Sequence, residues 1–356
     1  MTSGPAEVLP ISPDAPEPEL VERAAALLRA GKLVAIPTET VYGLGCNALD
    51  ATAVQRVFDA KERPSSDPLI AHVDGPAMLA SVAATPVPEA ARTLMDAFWP
   101  GPLTVVIPRH PDLPDAVTSG LPDVAVRCPA HPVASAIISA AGVPIAAPSA
   151  NRFSRVSPTS AAHVLTDLAD RIEMVVDSGR SVHGLESTVV AFDDDGAIVL
   201  RHGAIPLEAI QALVPARTLG GDADADRAKA SPGHDERHYS PRTATVAVAA
   251  GVLADTTTEQ LAALARSGVR YAGYASRAPE LPDGWDFESL GSIDRIETVA
   301  HDLYDALRRM DRPDVDLIVL ELTGADGLGR AIDDRLTRAA SSVVISSPAE
   351  LTDRLG

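Results

Sequence analysis

The sequence predicts an α/β protein: a mixed sheet with flanking helices, then a second, smaller α/β domain. Three observations predict it. From Leu20 onward, segments with a helical apolar period alternate with apolar segments of strand length. A run of three aspartates and a glycine over 193–196 separates two apolar segments and reads as a hairpin turn, so some neighbouring strands are antiparallel. Near Leu219 the large apolar residues thin out, and a fresh alternation starts after Arg242. A length of 356 residues suits two cores better than one. Hydrophobic residues make up 46% but aromatics only 3%, so the cores must rest on Val, Leu, Ile and Ala.

The elements follow in order. Residues 1–19 are rich in Pro and acid and read as a loose arm, without the basic start and apolar run of a secretory signal. Leu20, Ala24, Leu27 and Leu28 share one helical face, which Gly31 can end. Residues 33–36 read as a buried strand. Asp50 can cap a helix carrying Val54, Val57 and Phe58. Strands are predicted over 69–73, 103–107, 124–127, 145–147 and 172–176, then the hairpin over 189–200. The apolar stretch at 133–148 is broken by Gly142 and Pro144 and is too short to cross a membrane. Residues 220–230 lack large apolar side chains, and the SPGHDERHYSP run at 231–241 reads as a linker with an unusual tyrosine, Tyr239. Beyond it, strands are predicted over 245–249, 269–275 and 317–322.

A net charge of −19 argues against a protein that grips nucleic-acid phosphates or an anionic membrane. Cys46 and Cys128 have neither metal nor redox spacing, so no disulfide framework or zinc site is expected, and a reducing, cytoplasmic location is.

Five clusters carry chemistry. PTETVYGLG at 37–45 follows a strand, and strand-end loops of hydroxyls, a carboxylate and glycines make ligand mouths. KERPSSDPLIAH at 61–72 places Lys61 and Arg63 at a helix end, where they can favour the helix dipole or clamp phosphates. The chain has only three lysines, Lys32, Lys61 and Lys229, which makes this one informative. AVRCPAH at 125–131 puts Arg127 at a strand end. AAPSAN at 146–151, with Ser157 and Thr159 beyond it, offers hydroxyls and an amide after a strand. GLESTVV at 184–190 is followed by Arg201, His202 and Gly203.

Together and in this order, the clusters resemble the YrdC-like threonylcarbamoyl-AMP synthase family over about residues 20–213. The linker resembles the family's SPG-x-x-x-RHY-x-P segment, so the match is to the long form with an extra Rossmann-like domain. The resemblance implies a YrdC-like twisted mixed sheet and an enzyme making threonylcarbamoyl-AMP from L-threonine, bicarbonate and ATP. It implies that Lys61 and Arg63 are the catalytic cations on the ATP phosphates, with Asp67 binding through main chain. Ser149, Ser157 and Arg201 would complete the nucleotide site, Asp123 would contribute backbone, and Tyr239 would close over the nucleotide. L-Threonine would be held by Thr40, His72, Arg127, the Ala147 backbone and Ser187. Mg2+ would arrive with ATP, no protein-bound metal being expected. The product would pass to a separate tRNA threonylcarbamoyl transferase complex, with little direct tRNA contact and no membrane.

The implied domains are an arm at 1–19, a catalytic domain at 20–217, a linker and lid at 218–242, and the Rossmann-like domain at 243–356. The chain departs from the family pattern at Asp67 (usually Asn), Arg155 (usually Gly), His234-Asp235-Glu236 in the linker, and Asp333-Asp334 near the end. The related hydrogenase-maturation carbamoyltransferases add zinc-binding Cys pairs and an acylphosphatase-like segment, and neither appears in this sequence.

Overall fold

Short β-branched strands, each followed by a helix or a tight turn, build the larger part of the molecule. The computed structural model describes residues 4–220, 225–231, 239–263 and 268–355. The chain divides into two units, Met1–Phe153 with Ser157–His234, and Ser154–Val156 with Asp235–Gly356. In the first, the described strands are β1 (Glu7–Pro10), β2 (Val34–Ile36), β3 (Gly43–Asn47), β4 (Ile70–His72), β5 (Leu103–Pro108), β6 (Asp123–Arg127), β7 (Ile145–Ala146), β8 (Met174–Asp177), β9 (Thr188–Asp193), β10 (Gly196–Arg201) and β11 (Ala216–Thr218). They form one sheet in the order β1-β8-β2-β3-β7-β4-β6-β5-β9-β10-β11. The sheet is mixed: β4 lies parallel to β6 and β5 to β9, whereas β5–β6 and β9–β10 are antiparallel.

Local chemistry sets the helices. Pro18–Arg29 starts on a proline, carries Glu19 in its first turn and Arg29 in its last, and buries Val21, Ala24, Ala25 and Leu28. Its apolar face is therefore centred on Val21 rather than Leu20, which stays half-buried. Gly31 follows at φ +69°, the left-handed turn that lets the chain reverse into β2. Asp50 caps the Ala51–Lys61 helix by accepting from Thr52 N and Ala53 N, and the helix ends at Glu62 in left-handed geometry.

Two apolar layers bracket part of this sheet. On one side Val34, Ile36, Ile145 and Val176 meet Leu28, Ile137 and Ile138 of the helices Pro18–Arg29 and Pro132–Ala141. On the other, Val54, Val57 and Phe58 join Val105, Val126 and Val190. A third group, Ile70, Val106, Ala125, Val189, Ala191, Ile198 and Leu200, forms an apolar floor on which partly buried Leu219 and Ala230 pack.

The loose arm expected over 1–19 is corrected by β1, which pairs in parallel with β8 from Glu7↔Met174 to Pro10↔Asp177. Leu9 and Ile11 are buried while Val8 and Pro10 are exposed, a two-residue stripe hidden by the proline-rich composition.

The second unit holds β12 (Ala244–Val248), β13 (Val269–Gly273), β14 (Trp285–Ser289), β15 (Leu317–Glu321) and β16 (Val344–Ile345), in the order β14-β13-β15-β12-β16. Every pairing in it is parallel. Val248, Leu261, Tyr271, Leu317, Val319 and Ile345 are buried in its core.

Because Asp50 satisfies two otherwise orphaned N–H groups, Asp50→Ala should lower stability by about 1 kcal/mol, read as a lower urea midpoint with an unchanged slope.

Candidate active site

Side chains alternate across a strand, so residues two apart share a face. On β6, Ala125 belongs to the apolar floor, and Arg127 and Asp123 lie on the same face at its two ends. The pairing register carries that face across the sheet: His72 lies opposite Arg127, Arg127 opposite Thr104, Thr104 opposite Val189, and Val189 opposite Arg201. One line of strand ends thus brings together residues from positions 72 to 201.

Arg201 reaches this line through an irregularity. Val199 pairs with Val190, but Arg201 pairs with Val189, so Leu200 is an extra residue. This bulge turns Arg201 onto the floor face, where an unbroken ladder would have sent it into the opposite core. There its Nη2 donates to Ser187 O at 3.0 Å and Ser187 Oγ at 3.2 Å. Ser187 Oγ in turn lies 2.7 Å from Thr104 Oγ1.

Arg127 is the buried centre of the line, 3% exposed. Its Nη1 donates to Thr40 Oγ1 at 2.7 Å, its Nε to Gly101 O at 3.2 Å, and its Nη2 lies 2.5 Å from Glu39 Oε1. Thr40 Oγ1 is 2.8 Å from Thr38 Oγ1, so the PTET segment wraps the guanidinium. Burial would raise the Glu39 pKa, but the charge and hydrogen bonding of Arg127 outweigh it and hold the carboxyl below its usual range. Burial first, and Arg127 second, push His72 down to about 3, so this imidazole is neutral at physiological pH. Burial also lowers His131 and His183.

The second group gathers around the end of the Ala51–Lys61 helix. Lys61 is 1% exposed, and its ammonium donates to Ser149 O and Asn151 O, each at 2.5 Å. Burial, then the neighbouring Arg63, push its pKa well down. Arg63 pairs with Asp67 at 2.9 Å and donates to Asp67 O and Pro68 O. The Asp67 side chain therefore faces Arg63, which accounts for an acidic residue at this position. Ser149 bridges to Gly43, and a Cβ on Gly43 would come within 3.2 Å of Ala147 Cβ, so the glycine lets two strand ends close up. Ala147 N–H donates to Ile70 O, so the backbone group it can offer a ligand is its carbonyl. Ser157 Oγ donates to Glu186 Oε1 at 2.7 Å.

At the other end of β6, Asp123 lines a cavity of ≈380 Å³ with Val106, Pro108, Ala191, Phe192 and Arg227. Burial raises the Asp123 pKa. Tyr239 belongs to the second unit, where its ring stacks on Tyr304 with centroids 5.7 Å apart and the Arg335 guanidinium lies 5.0 Å from its centre. His234-Asp235-Glu236 and the remainder of the linker motif at 232–238 lie outside the described residues. Among the described residues no cluster of three or more His, Cys, Asp or Glu side chains is arranged to hold a metal ion, and no helix is long and apolar enough to cross a membrane.

The sequence places Glu39, Asn151 and Glu186 in chemistry-bearing clusters without giving them a role, and it does not single out Thr104. Thr104 could have been found by counting two residues back from Val106 on a strand facing Arg127.

Two family models match the chain: Sua5_yciO_yrdC, described as telomere recombination, over residues 26–203, and the threonylcarbamoyl-AMP synthase C-terminal domain over 205–341. Threonylcarbamoyl-AMP synthase of Bacillus subtilis is 43% identical over 329 residues, 91% of this chain and 94% of the relative. That of Pyrococcus abyssi is 42% identical, covering 90% and 94%. The crystal structure of P. abyssi Sua5 complexed with L-threonine superposes with a TM-score of 0.85 at 38% identity, covering 95% of this chain and 99% of that one.

The depressed histidines give a signed pH dependence. His72, facing Arg127 and Glu39, stays neutral in the fold down to about pH 3, whereas in the unfolded chain it takes a proton below 6.5. The unfolded state then binds more protons, so stability should fall as pH drops from 6.5 toward 3. Urea midpoints at about pH 7 and pH 5 should differ in that direction, and by less in His72→Gln.

Proposed function

The chain belongs to the threonylcarbamoyl-AMP synthase family, ATP-using nucleotidyltransferases, and from that premise we propose that it condenses L-threonine, bicarbonate and ATP into threonylcarbamoyl-AMP, pyrophosphate and water on the open face of its first domain. The observation that carries this reading is the line His72–Arg127–Thr104–Ser187–Arg201 at the edge of an apolar floor, with two buried cations, Lys61 and Arg63, in the same domain.

Threonine sits at the Arg127 end. The guanidinium takes its carboxylate, and Thr40, His72, Ser187 and the Ala147 carbonyl supply polar partners. A neutral His72 suits this role, because an imidazolium would set a second cation against Arg127 and could not accept the proton that the substrate amine must lose. The free amine attacks carbon dioxide derived from bicarbonate and loses a proton to give the carbamate. A carbamate oxygen then attacks the α-phosphorus of ATP, and the bond to pyrophosphate breaks. The nucleoside lies along the floor toward Asp123, a direction set by β6, whose five residues span roughly 13 Å. Lys61, Arg63, Arg201, Ser149 and Ser157 meet the phosphates. A triphosphate would favour the charged form of Lys61, which burial disfavours. Mg2+ enters with ATP as part of the substrate. The residues contribute position and positive charge rather than a nucleophile. The buried thiols of Cys46 and Cys128 are consistent with this, since burial raises both pKa values.

Leu219 and Ala230 settle on the floor, and a site that excludes water would protect the short-lived carbamate. Tyr239, carried by the second domain, is assigned to the nucleotide by the family pattern alone. The product serves threonylcarbamoylation of tRNA by a separate transferase in the cytoplasm, so the acidic chain itself need not hold tRNA.

Pyrophosphate release should require both L-threonine and bicarbonate. Valine, lacking the hydroxyl, should support it at least roughly 100-fold less well, and Arg63→Ala should reduce it by about 10²–10³-fold. Release that proceeds without threonine would overturn the assignment.

A further inference from the structure

The Arg127–Glu39 pair carries more hydrogen-bonding capacity than the protein fills. Glu39 is 6% exposed and, among the described residues, Arg127 is its ionic partner; the Glu39 and Ala130 backbone N–H groups lie near the carboxylate, but neither of its oxygens has a well-directed hydrogen bond. Arg127 spends Nε on Gly101 O and one Nη1 proton on Thr40, and its Nη2 makes no well-directed hydrogen bond. Leaving a buried carboxylate under-coordinated is costly, and such groups are normally saturated. The cost is built in on purpose-shaped chain: Glu39 O accepts from His183 N at 2.7 Å, which fixes the residue from the opposite loop.

The surroundings define the missing guest. His72 and His131 each have an Nδ1 without a partner, and both imidazoles, with His183, are driven neutral by burial. Among the described residues, the charged group paired with Glu39 is then Arg127. One buried anion and one buried cation side by side, each with open valence, match a guest carrying a cation and an anion a few bonds apart. An α-amino acid in its zwitterionic form has that layout. A simple carboxylate would serve Arg127 and leave Glu39 with nothing, and an amine would do the reverse.

We infer that Glu39 is a substrate-recognition residue, which receives the α-ammonium group of the amino acid on binding, before that group gives up its proton to become the attacking amine, while Arg127 receives its carboxylate. This rests on the reading of L-threonine as substrate. It assigns Glu39 a contact with substrate in addition to its contact with Arg127, and it makes the pair the element that selects amino acids over other hydroxy acids.

The experiment compares L-threonine with 2,3-dihydroxybutanoate, which keeps the carboxylate and 3-hydroxyl and replaces the amine by a hydroxyl. The KM for threonine and the inhibition constant of the analogue are measured on the full-length chain, its Glu39→Gln variant and its Glu39→Asp variant, with melting curves for each. Glu39→Gln should raise the threonine KM by about 10–100-fold, leave the ATP KM unchanged, and move the analogue's inhibition constant by less than about threefold. Glu39→Asp keeps the charge but withdraws it by one methylene, so it should fold normally and give a smaller loss with the same selectivity; it decides the matter if the Gln variant does not fold. An equal loss for threonine and the analogue would overturn the inference, because Glu39 would then act only by holding Arg127 in place. An unchanged threonine KM would overturn it too. A wild-type chain that turns over without threonine would instead sink the substrate reading on which it rests.

Discussion

A guanidinium buried at the end of a central strand is the constraint on which the first domain is organised. Arg127 cannot be left unpaired at 3% exposure, and the chain meets that demand from two separate places, the Thr38–Glu39–Thr40 turn after β2 and Gly101 before β5, while Thr104, opposite Arg127 in the sheet, is bonded to Ser187 just before β9. Strands distant in sequence are thereby held in register at one edge. The same arrangement collects the hydroxyls, imidazole and carboxylate that a small polar substrate needs. Stability and the proposed binding of threonine draw on one set of contacts, with the polar residues at the strand ends and Val, Ile and Leu side chains beneath them.

Lys61 presents a related case with a different solution. Its ammonium is taken by two carbonyls, Ser149 O and Asn151 O, rather than by a carboxylate. Carbonyl dipoles orient a cation without cancelling its charge, so it remains able to attract an anion. Arg63, by contrast, is paired with Asp67. The two cations thus differ in what a phosphate must displace, although they stand two residues apart in sequence.

Much of this was legible in the sequence where one local rule sufficed. The Asp-Asp-Asp-Gly turn gave away the β9–β10 hairpin, Asp50 its helix cap, and the apolar runs most strands, because each depends on residues within a few positions. The features that escaped depend on alternation masked by composition or on distant partners. β1 hides among prolines and acids and is defined only by its partner β8. β14 mixes charges with two aromatics, and β16 is two residues long. The resemblance named Arg127 but not the carboxylate beside it, since Glu39 becomes notable only when Arg127, 88 positions away, folds against it.

The extra residue in β10 ties the hairpin's length to its chemistry. Because Leu200 is the unpaired member, the ladder before it and the ladder after it are out of phase. A length change in the exposed turn between Asp193 and Gly196 is absorbed locally and leaves that phase alone. Drawing Leu200 into the ladder opposite Val189 would make the pairing regular at the cost of exchanging a cation for a hydrocarbon at that position. The hairpin can therefore diverge freely at its tip while its base is locked in reading frame with the site, a division of evolutionary freedom set by a single irregular pairing.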